Sequence, residues 1–315
     1  MMIRRPLGKS GLMVSPLAFG TLTLAPMQRN LPPERGAELI LYAWAKGVNF
    51  FDTAELYETY APLRLALKKQ PELLISSKSY AYDRQTAQTA FDDCRRALDK
   101  DVIELFMLHE QESPLTLKGH REAFDFYLDM KAQGKLKAVG FSTHRVDAAA
   151  YGPRYPGVDV IHPLINLTGV GLQGGTREEM EKAVAGCHQA GIGIFAMKPL
   201  GGGHLLKDPQ AAFDYLKGLP FIDSVACGMQ SEAEIDVNCA YFENRQPDSG
   251  ALESTRRAPR QLIVQDWCQG CGNCVKRCGQ DAIHVVDGRA VPDENKCVRC
   301  GYCARVCPEF CIKVI

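Results

Sequence analysis

The sequence lacks an excess of charge of either sign: 37 Lys and Arg face 37 Asp and Glu over 315 residues. With no overall positive field there is little to hold a phosphate backbone or an anionic membrane, so no nucleic-acid partner is expected. It lacks any run near the ~18 consecutive apolar residues of a membrane span, so no membrane partner is expected either. Near the start, Pro6, Gly8, Lys9 and Ser10 interrupt what would have to be the ~7–15 apolar residues of a secretory signal, and a cytoplasmic location is the expectation. No Gly-x-Gly-x-x-Gly turn follows the first β-rich run, which counts against a dinucleotide-binding doubly wound sheet.

Cysteine is sparse until late in the chain. Of 13 in all, eight lie within the 40 residues from Cys268 to Cys307. A disulfide scaffold would spread them through a short secreted chain; a dense group at one end of a long chain points to metal. Cys94, Cys187, Cys227, Cys239 and Cys311 stand outside the pattern and read as small buried hydrophobes.

Dividing the length by ~150 residues per domain suggests about two domains. From Val14 to about Tyr241, eight β-rich runs alternate with helical patterns: AFGT, VNFFDT, LLISSK, IELFMLH, LKAVGFS, VDVIHPLINL, IGIFAMK and DSVACG. Pro33 and Gly47 can bracket one helix, Asp83 can cap another and Gly134 can end a third. Thr176 with Glu179, and Ser231 with Glu234, have capping-box spacing. Eight strand–helix units in this length predict a parallel (β/α)8 barrel, the TIM-barrel class of α/β fold, over 1–245, with a doubly wound open sheet as the alternative. Residues 246–261 have no apolar periodicity and carry two prolines, so they are assigned as a linker. The remaining 262–315, a small α+β unit, is too short to rely on its own core and needs a staple.

Two matched Cys-x2-Cys-x2-Cys-x3-Cys motifs supply one: Cys268, Cys271, Cys274 and Cys278, then Cys297, Cys300, Cys303 and Cys307 followed by Pro308. Three thiolates so close can wrap one corner of a cubane, while the fourth is carried away to the other cluster. One [4Fe-4S] cluster is therefore expected on Cys268, Cys271, Cys274 and Cys307, and a second on Cys297, Cys300, Cys303 and Cys278. The segment resembles bacterial two-cluster ferredoxins, with Gly279 where that family often has Pro. A zinc knuckle and a purely structural iron site are the other readings.

In a parallel barrel, chemistry sits where the strands end. Asp52 ends VNFFD, Lys78 ends LLISSK, His109 ends IELFMLH, and Tyr57 lies on the loop after Asp52. An acid, an amine, an imidazole and a phenol on one rim make a proton-transfer set. Lys78 beside Tyr57 would lower the phenol's pKa from ~10, and Asp52 would pair with Lys78. At these residues the chain resembles the aldo-keto reductases over about residues 3–245. The resemblance implies Tyr57 as general acid to a small carbonyl substrate, Lys78 as its activator, Asp52 as the lysine's partner and His109 as the residue that orients the carbonyl.

The same resemblance implies a nicotinamide site, NADH or NADPH, at Thr21, Ser142, Asn166, Met197, Lys198, Leu200, Gly228, Ser231, Glu234 and Asn238. Several of these depart from the family's pattern. Thr143 stands where Asn is usual. Met197 replaces a stacking Tyr and Lys198 a small residue. Gly228 replaces a Lys, and Glu234 occupies the usual Arg position, where a carboxylate would repel a 2′-phosphate. Lys198 could instead meet a phosphate or a reduced, anionic flavin. His144 is the remaining histidine nearest a strand end; 120, 162, 188, 204 and 284 read as ordinary core or surface residues. Arg256, Arg257 and Arg260 read as a solvated linker or as a guide for an acidic partner.

Hydride chemistry moves two electrons and a cubane takes one, so flavin is the usual intermediary between them. Three readings follow: an iron-sulfur carbonyl reductase, a flavin- or ferredoxin-linked reductase with an altered pocket, and a non-catalytic electron-transfer or redox-sensing module. A redox partner protein is expected for the clusters.

Overall fold

The computed structural model describes residues 2–297 and 299–315. Eight parallel strands close into a barrel: β1 (Leu17–Gly20), β2 (Phe50–Asp52), β3 (Leu74–Ser79), β4 (Ile103–Leu108), β5 (Leu136–Thr143), β6 (Val160–Pro163), β7 (Gly193–Met197) and β8 (Ser224–Gly228). Each pairs with its sequence neighbour, and β8 returns to β1 with Val225 opposite Leu17. All eight β-rich runs of the sequence form these strands. They are buried on both faces, which is why they read as continuous apolar runs rather than as alternation.

Helices α1 (Pro33–Ala45), α2 (Tyr60–Leu67), α3 (Arg84–Leu98), α4 (Pro114–Gly119), α5 (Arg121–Ala132), α6 (Val146–Tyr151), α7 (Arg177–Gln189) and α8 (Pro209–Lys217) connect the strands, and α9 (Glu232–Phe242) follows the last of them. Asp83 caps α3 by accepting the Thr86 N–H at 2.8 Å. The Thr176–Glu179 box on α7 is complete in both directions. The Ser231–Glu234 box is half made. Ser231 accepts the Glu234 N–H at 3.2 Å, but the Glu234 carboxylate turns to the Gln230 N–H at 2.8 Å.

An N-terminal hairpin closes the bottom of the barrel. Its Leu7, Leu12 and Val14 join Phe50, Leu105, Met107 and Phe195 inside, and the rings of Phe50 and Phe195 stand 4.5 Å apart. The open end of the barrel is therefore the end where the strands finish.

Beyond α9, helix α10 (Ser249–Arg257) occupies much of the stretch assigned as linker. Only Ala251 and Leu252 of it pack on the barrel core, too little apolar surface to show as periodicity. The tail has strands β9 (Leu262–Val264), β10 (Ile283–Val286), β11 (Arg289–Pro292) and β12 (Ile312–Val314), with short helices α11 (Asn273–Arg277) and α12 (Tyr302–Arg305). β9 pairs antiparallel with β12, and β10 with β11. Its small core is built from Leu262, Ile283, Ala304 and Ile312 together with cysteines.

The tail lies across the barrel mouth. Phe310 packs on Gly171 and Gly202, and the Val314 backbone crosses Gly203 so closely that a Cβ there would collide with the Val314 carbonyl oxygen. Arg29 from the loop after β1 donates to the carbonyl of Pro259 at 2.9 Å. Among the described residues, no helix is long and apolar enough to cross a membrane.

Candidate active site

β2 ends in Asp52 and β3 carries Lys78, so the two side chains meet inside the rim, both buried. The Lys78 ammonium donates to Asp52 Oδ1 at 2.6 Å and Oδ2 at 2.8 Å, and to the carbonyl of Thr53 at 2.8 Å. Asp52 Oδ1 also accepts from Ser76 Oγ at 3.1 Å. Burial lowers the Lys78 pKa and the Asp52 charge partly restores it.

Tyr57 ends a single 3-10 turn, Glu55–Tyr57, that folds back over this pair. Its ring centroid lies 5.2 Å from Lys78 Nζ and 5.8 Å, edge-on, from His109. All four residues of the proton-transfer set are thus gathered on the rim. The expected lowering of the phenol does not occur. Burial raises the Tyr57 pKa well above its ordinary value, with further pushes from Asp52 and Glu110. Burial outweighs the nearby Lys78 charge, whose three protons are directed at Asp52 and the Thr53 carbonyl and not at the phenol. His109 is buried, and that burial, with Lys78 second, holds its pKa well below 6.5; the imidazole is neutral.

Three residues that did not stand out in the sequence complete this wall. Tyr80 stacks on His109 at 4.5 Å and donates to Glu110 Oε2 at 2.6 Å. His162, inside β6, stacks on Phe195 and brings Nε2 to 3.8 Å from Asp52 Oδ2. A histidine near the end of an apolar strand was the available signal for it.

The nucleotide positions fall into two groups. Met197, Lys198, Leu200, Gly228, Glu234 and Asn238 line a cavity of about 550 Å³, which the catalytic candidates Asp52 and Tyr57 also line. Thr21, Ser142, Asn166 and Ser231 do not line it, and each is committed to local structure. Thr21 Oγ1 donates to the Asp52 carbonyl at 2.9 Å, and Ser142 Oγ accepts the Glu110 N–H at 2.7 Å. The Asn166 amide donates to the carbonyl of Val170 at 3.0 Å and accepts its N–H at 3.1 Å, pinning the 169–176 loop; Ser231 caps α9.

The cavity runs from Asp52 and Tyr57 past Gly202 and Gly203 to Arg29, Arg256 and Arg260. Two of the three linker arginines therefore face the cavity; Arg257 pairs outward with Glu253 at 2.6 Å. At that far end burial raises the Glu234 pKa, while Arg29 and Arg260 oppose it.

A sequence model described as the aldo/keto reductase family matches residues 16–219, well over half of the chain. The chain belongs to the aldo/keto reductase family. As a member it is an oxidoreductase, which removes the reading as a non-catalytic module. It is 29% identical over 282 residues to the Glycine max protein named Probable aldo-keto reductase 1, covering 82% of this chain and 75% of that one. It is 29% identical over 230 residues to the 6-dehydroglucose reductase of Novosphingobium aromaticivorans, covering 67% and 72%. A solved aldo-keto reductase from Bacillus halodurans superposes with a TM-score of 0.66 at 18% identity over 82% of this chain and 96% of that one, a likeness of fold.

This family member differs from a bare barrel in its tail. A model described as a 4Fe-4S dicluster domain matches residues 260–309. The segment is 40% identical over 54 residues, 17% of this chain and 20% of the relative, to one component of an ion-translocating oxidoreductase complex of Methanosarcina acetivorans. The tail is thus an iron-sulfur domain rather than a zinc knuckle.

The donor set fits that chemistry. Cys268, Cys271, Cys274 and Cys307 line one small hollow, joined by Cys311. Backbone N–H groups of Ala290 and Ala282 point at the sulfurs of Cys268 and Cys278, each at 3.4 Å. Gly272 and Gly301, at φ +75° and +76°, turn the chain into the short helices that carry Cys274 and Cys303; left-handed backbone is where glycine is at ease. Cys94, Cys187, Cys227, Cys239 and Cys311 are all buried, but Cys311 is no bystander: its sulfur lies 3.3 Å from that of Cys307.

Proposed function

We propose that the barrel reduces the carbonyl group of a small molecule with Tyr57 as general acid, and that the tail carries two [4Fe-4S] clusters that exchange electrons with a redox partner protein. The observation that carries the barrel's part is the convergence of Asp52, Lys78, Tyr57 and His109 at the strand ends, with Asp52 and Tyr57 lining the cavity.

A nicotinamide nucleotide, NADH or NADPH, would supply the hydride. Its phosphates have cations available in Arg29, Arg256 and Arg260, and Glu234 is engaged by the Gln230 N–H at 2.8 Å. The residues of this chain supply the proton. A phenol raised by burial keeps its proton at neutral pH, as an acid must, and gives it up when hydride delivery makes the carbonyl oxygen the stronger base. The Lys78 ammonium, 5.2 Å from the Tyr57 ring, then stabilises the phenolate left behind. Neutral His109 can present a ring N–H to the same oxygen and orient it.

In the tail, the shared hollow supports one cluster on Cys268, Cys271, Cys274 and Cys307. The second would then take Cys297, Cys300, Cys303 and Cys278.

A second reading is favoured by Ser142 and Asn166, whose polar atoms are committed to backbone. In it the barrel holds a flavin, or its substrate alone, and electrons arrive through the tail. An anaerobic titration of the cluster-loaded protein with NADH or NADPH, followed by cluster absorbance and an aldehyde panel, separates the two. Nucleotide oxidation by aldehydes supports the first. Silence there, with flavin released on denaturation, replaces it with the second.

A further inference from the structure

The barrel's cavity is not made by the barrel alone. β12 brings Lys313 into its lining, opposite Lys198 from the end of β7. The two ammonium groups share one aromatic ring: Lys313 Nζ stands 3.2 Å from the Phe310 centroid and Lys198 Nζ 5.1 Å from it. Lys313 is 8% exposed and donates to the carbonyl of Phe310. Lys198 takes a left-handed backbone, φ +58°, and donates to Nε2 of His144 at 2.9 Å, which makes His144 a neutral acceptor.

Charge on this wall is out of balance. Lys78 is matched by Asp52, whereas Lys313 faces the sulfurs of Cys307 and Cys311 and shares with Lys198 the single carboxylate of Glu110. That carboxylate already accepts from Tyr80 at 2.6 Å and sits 3.5 Å from His144. Holding two like charges together out of water is unfavourable, and a phenyl face recovers only part of that cost. Burial pushes the Lys198 pKa down to about 8, with Glu110 opposing the shift and Lys78 adding to it. A bound anion removes the penalty.

Position says which anion. Contacts lead from His109 through Tyr80, Glu110 and His144 to Lys198, so the two lysines lie on the carbonyl-facing side of the cavity. Arg29 and Arg260 lie beside Glu234, and Arg256 lies near Tyr241 in the same cavity.

We propose that Lys313 of the iron-sulfur domain and Lys198 of the barrel form a subsite for an oxyanion, carboxylate or phosphate, carried by the carbonyl substrate, so that the substrate site is complete only with the tail docked. The inference rests on the reading of the barrel as a carbonyl reductase and adds the class of substrate, an anionic aldehyde or ketone.

The test uses the full, cluster-loaded chain under anaerobic conditions. Glyoxylate and methyl glyoxylate present the same aldehyde with and without a negative charge. The ratio of kcat/KM for the acid over the ester should fall about tenfold or more in Lys313→Met and in Lys198→Met, the loss of one charge-assisted hydrogen bond. Lys313→Arg, which keeps the charge, should hold the ratio within about threefold of the parent. An unaltered ratio in the Met variants overturns the subsite. So does a nucleotide Kd that weakens while the ratio stays, because the anion would then belong to the nucleotide.

Calorimetry with oxalate needs no turnover. If neither glyoxylate compound is reduced yet oxalate binds the parent and binds both Met variants about tenfold more weakly, the carbonyl-reductase reading fails and the anion subsite stands. If oxalate does not bind the parent, the subsite fails whatever the barrel reduces.

Discussion

Lys78 and Asp52 form a closed pair: one ammonium meets both oxygens of one carboxylate at 2.6 and 2.8 Å, with the lysine 1% exposed. Removing one member of a buried pair strands the other. Asp52→Asn should therefore destabilise the fold by about 3–5 kcal/mol, read as a lower denaturant midpoint with an unchanged slope. A midpoint close to the parent's would mean that Lys78 finds water or another partner.

Tyr57 is the residue whose loss separates chemistry from binding. Tyr57→Phe keeps the ring over Lys78 and His109 and deletes the proposed acid. Carbonyl reduction should drop by roughly 10²–10⁴-fold, while nucleotide affinity, measured by fluorescence quenching, stays near the parent value. Unchanged turnover would sink the assignment of the acid.

Acid should weaken the fold through its neutral histidines. Burial pushes His162 down to about 4 and His109 well below 6.5, so the unfolded chain binds protons before the folded one does. Their contribution to stability is complete above pH ~6.5 and is lost as pH falls from there towards 4, with a slope of at most about 1.4 kcal/mol per pH unit for each group. Thermal scans from pH 7 to 5 should show Tm falling, less steeply in His162→Asn, which has no titrating ring. A flat profile in the parent chain would contradict the neutral assignment.

The proposed crossed ligation of two clusters makes an arithmetic prediction. Cys271→Ser and Cys307→Ser strike the same cluster, so combining them should leave about four of eight irons. Cys300→Ser with Cys307→Ser strikes both and should leave almost none. Iron and sulfide analysis of anaerobically purified protein decides it, and the opposite pattern would mean that each motif holds its own cluster.

Gly203 is where the tail rests. Gly203→Val would drive a side chain into the Val314 carbonyl at a φ of +95°, a backbone that branched residues avoid. The tail should lift, seen as faster amide exchange across β9 and β12 with the barrel strands still protected. Unaltered protection in β12 would show that the junction yields at no cost.

The barrel was legible because each two-sided strand is a continuous apolar run, and Asp52, Lys78 and His109 stood out as polar groups ending such runs. The tail was legible from cysteine spacing alone. What escaped was contact between distant segments. Nothing local marks Lys313 as a neighbour of Lys198, because that proximity depends on how β12 docks on the mouth. The Lys78–Tyr57 electrostatics are hidden for a related reason: the carbonyl of Thr53 competes for the ammonium, and a backbone acceptor leaves no trace in the residue pattern. Helix α10 was hidden by having two apolar residues to bury.

The crossing of Gly203 by the Val314 backbone also bears on inheritance. A free barrel could accept many residues at the turn after β7, and a free ferredoxin-like domain could vary its last strand at will. Joined in this way, neither can drift alone. Changes among residues 198–204 and residues 310–314 should arise as compensating pairs, and a tail grafted from another iron-sulfur protein should need a matching turn before it can seat.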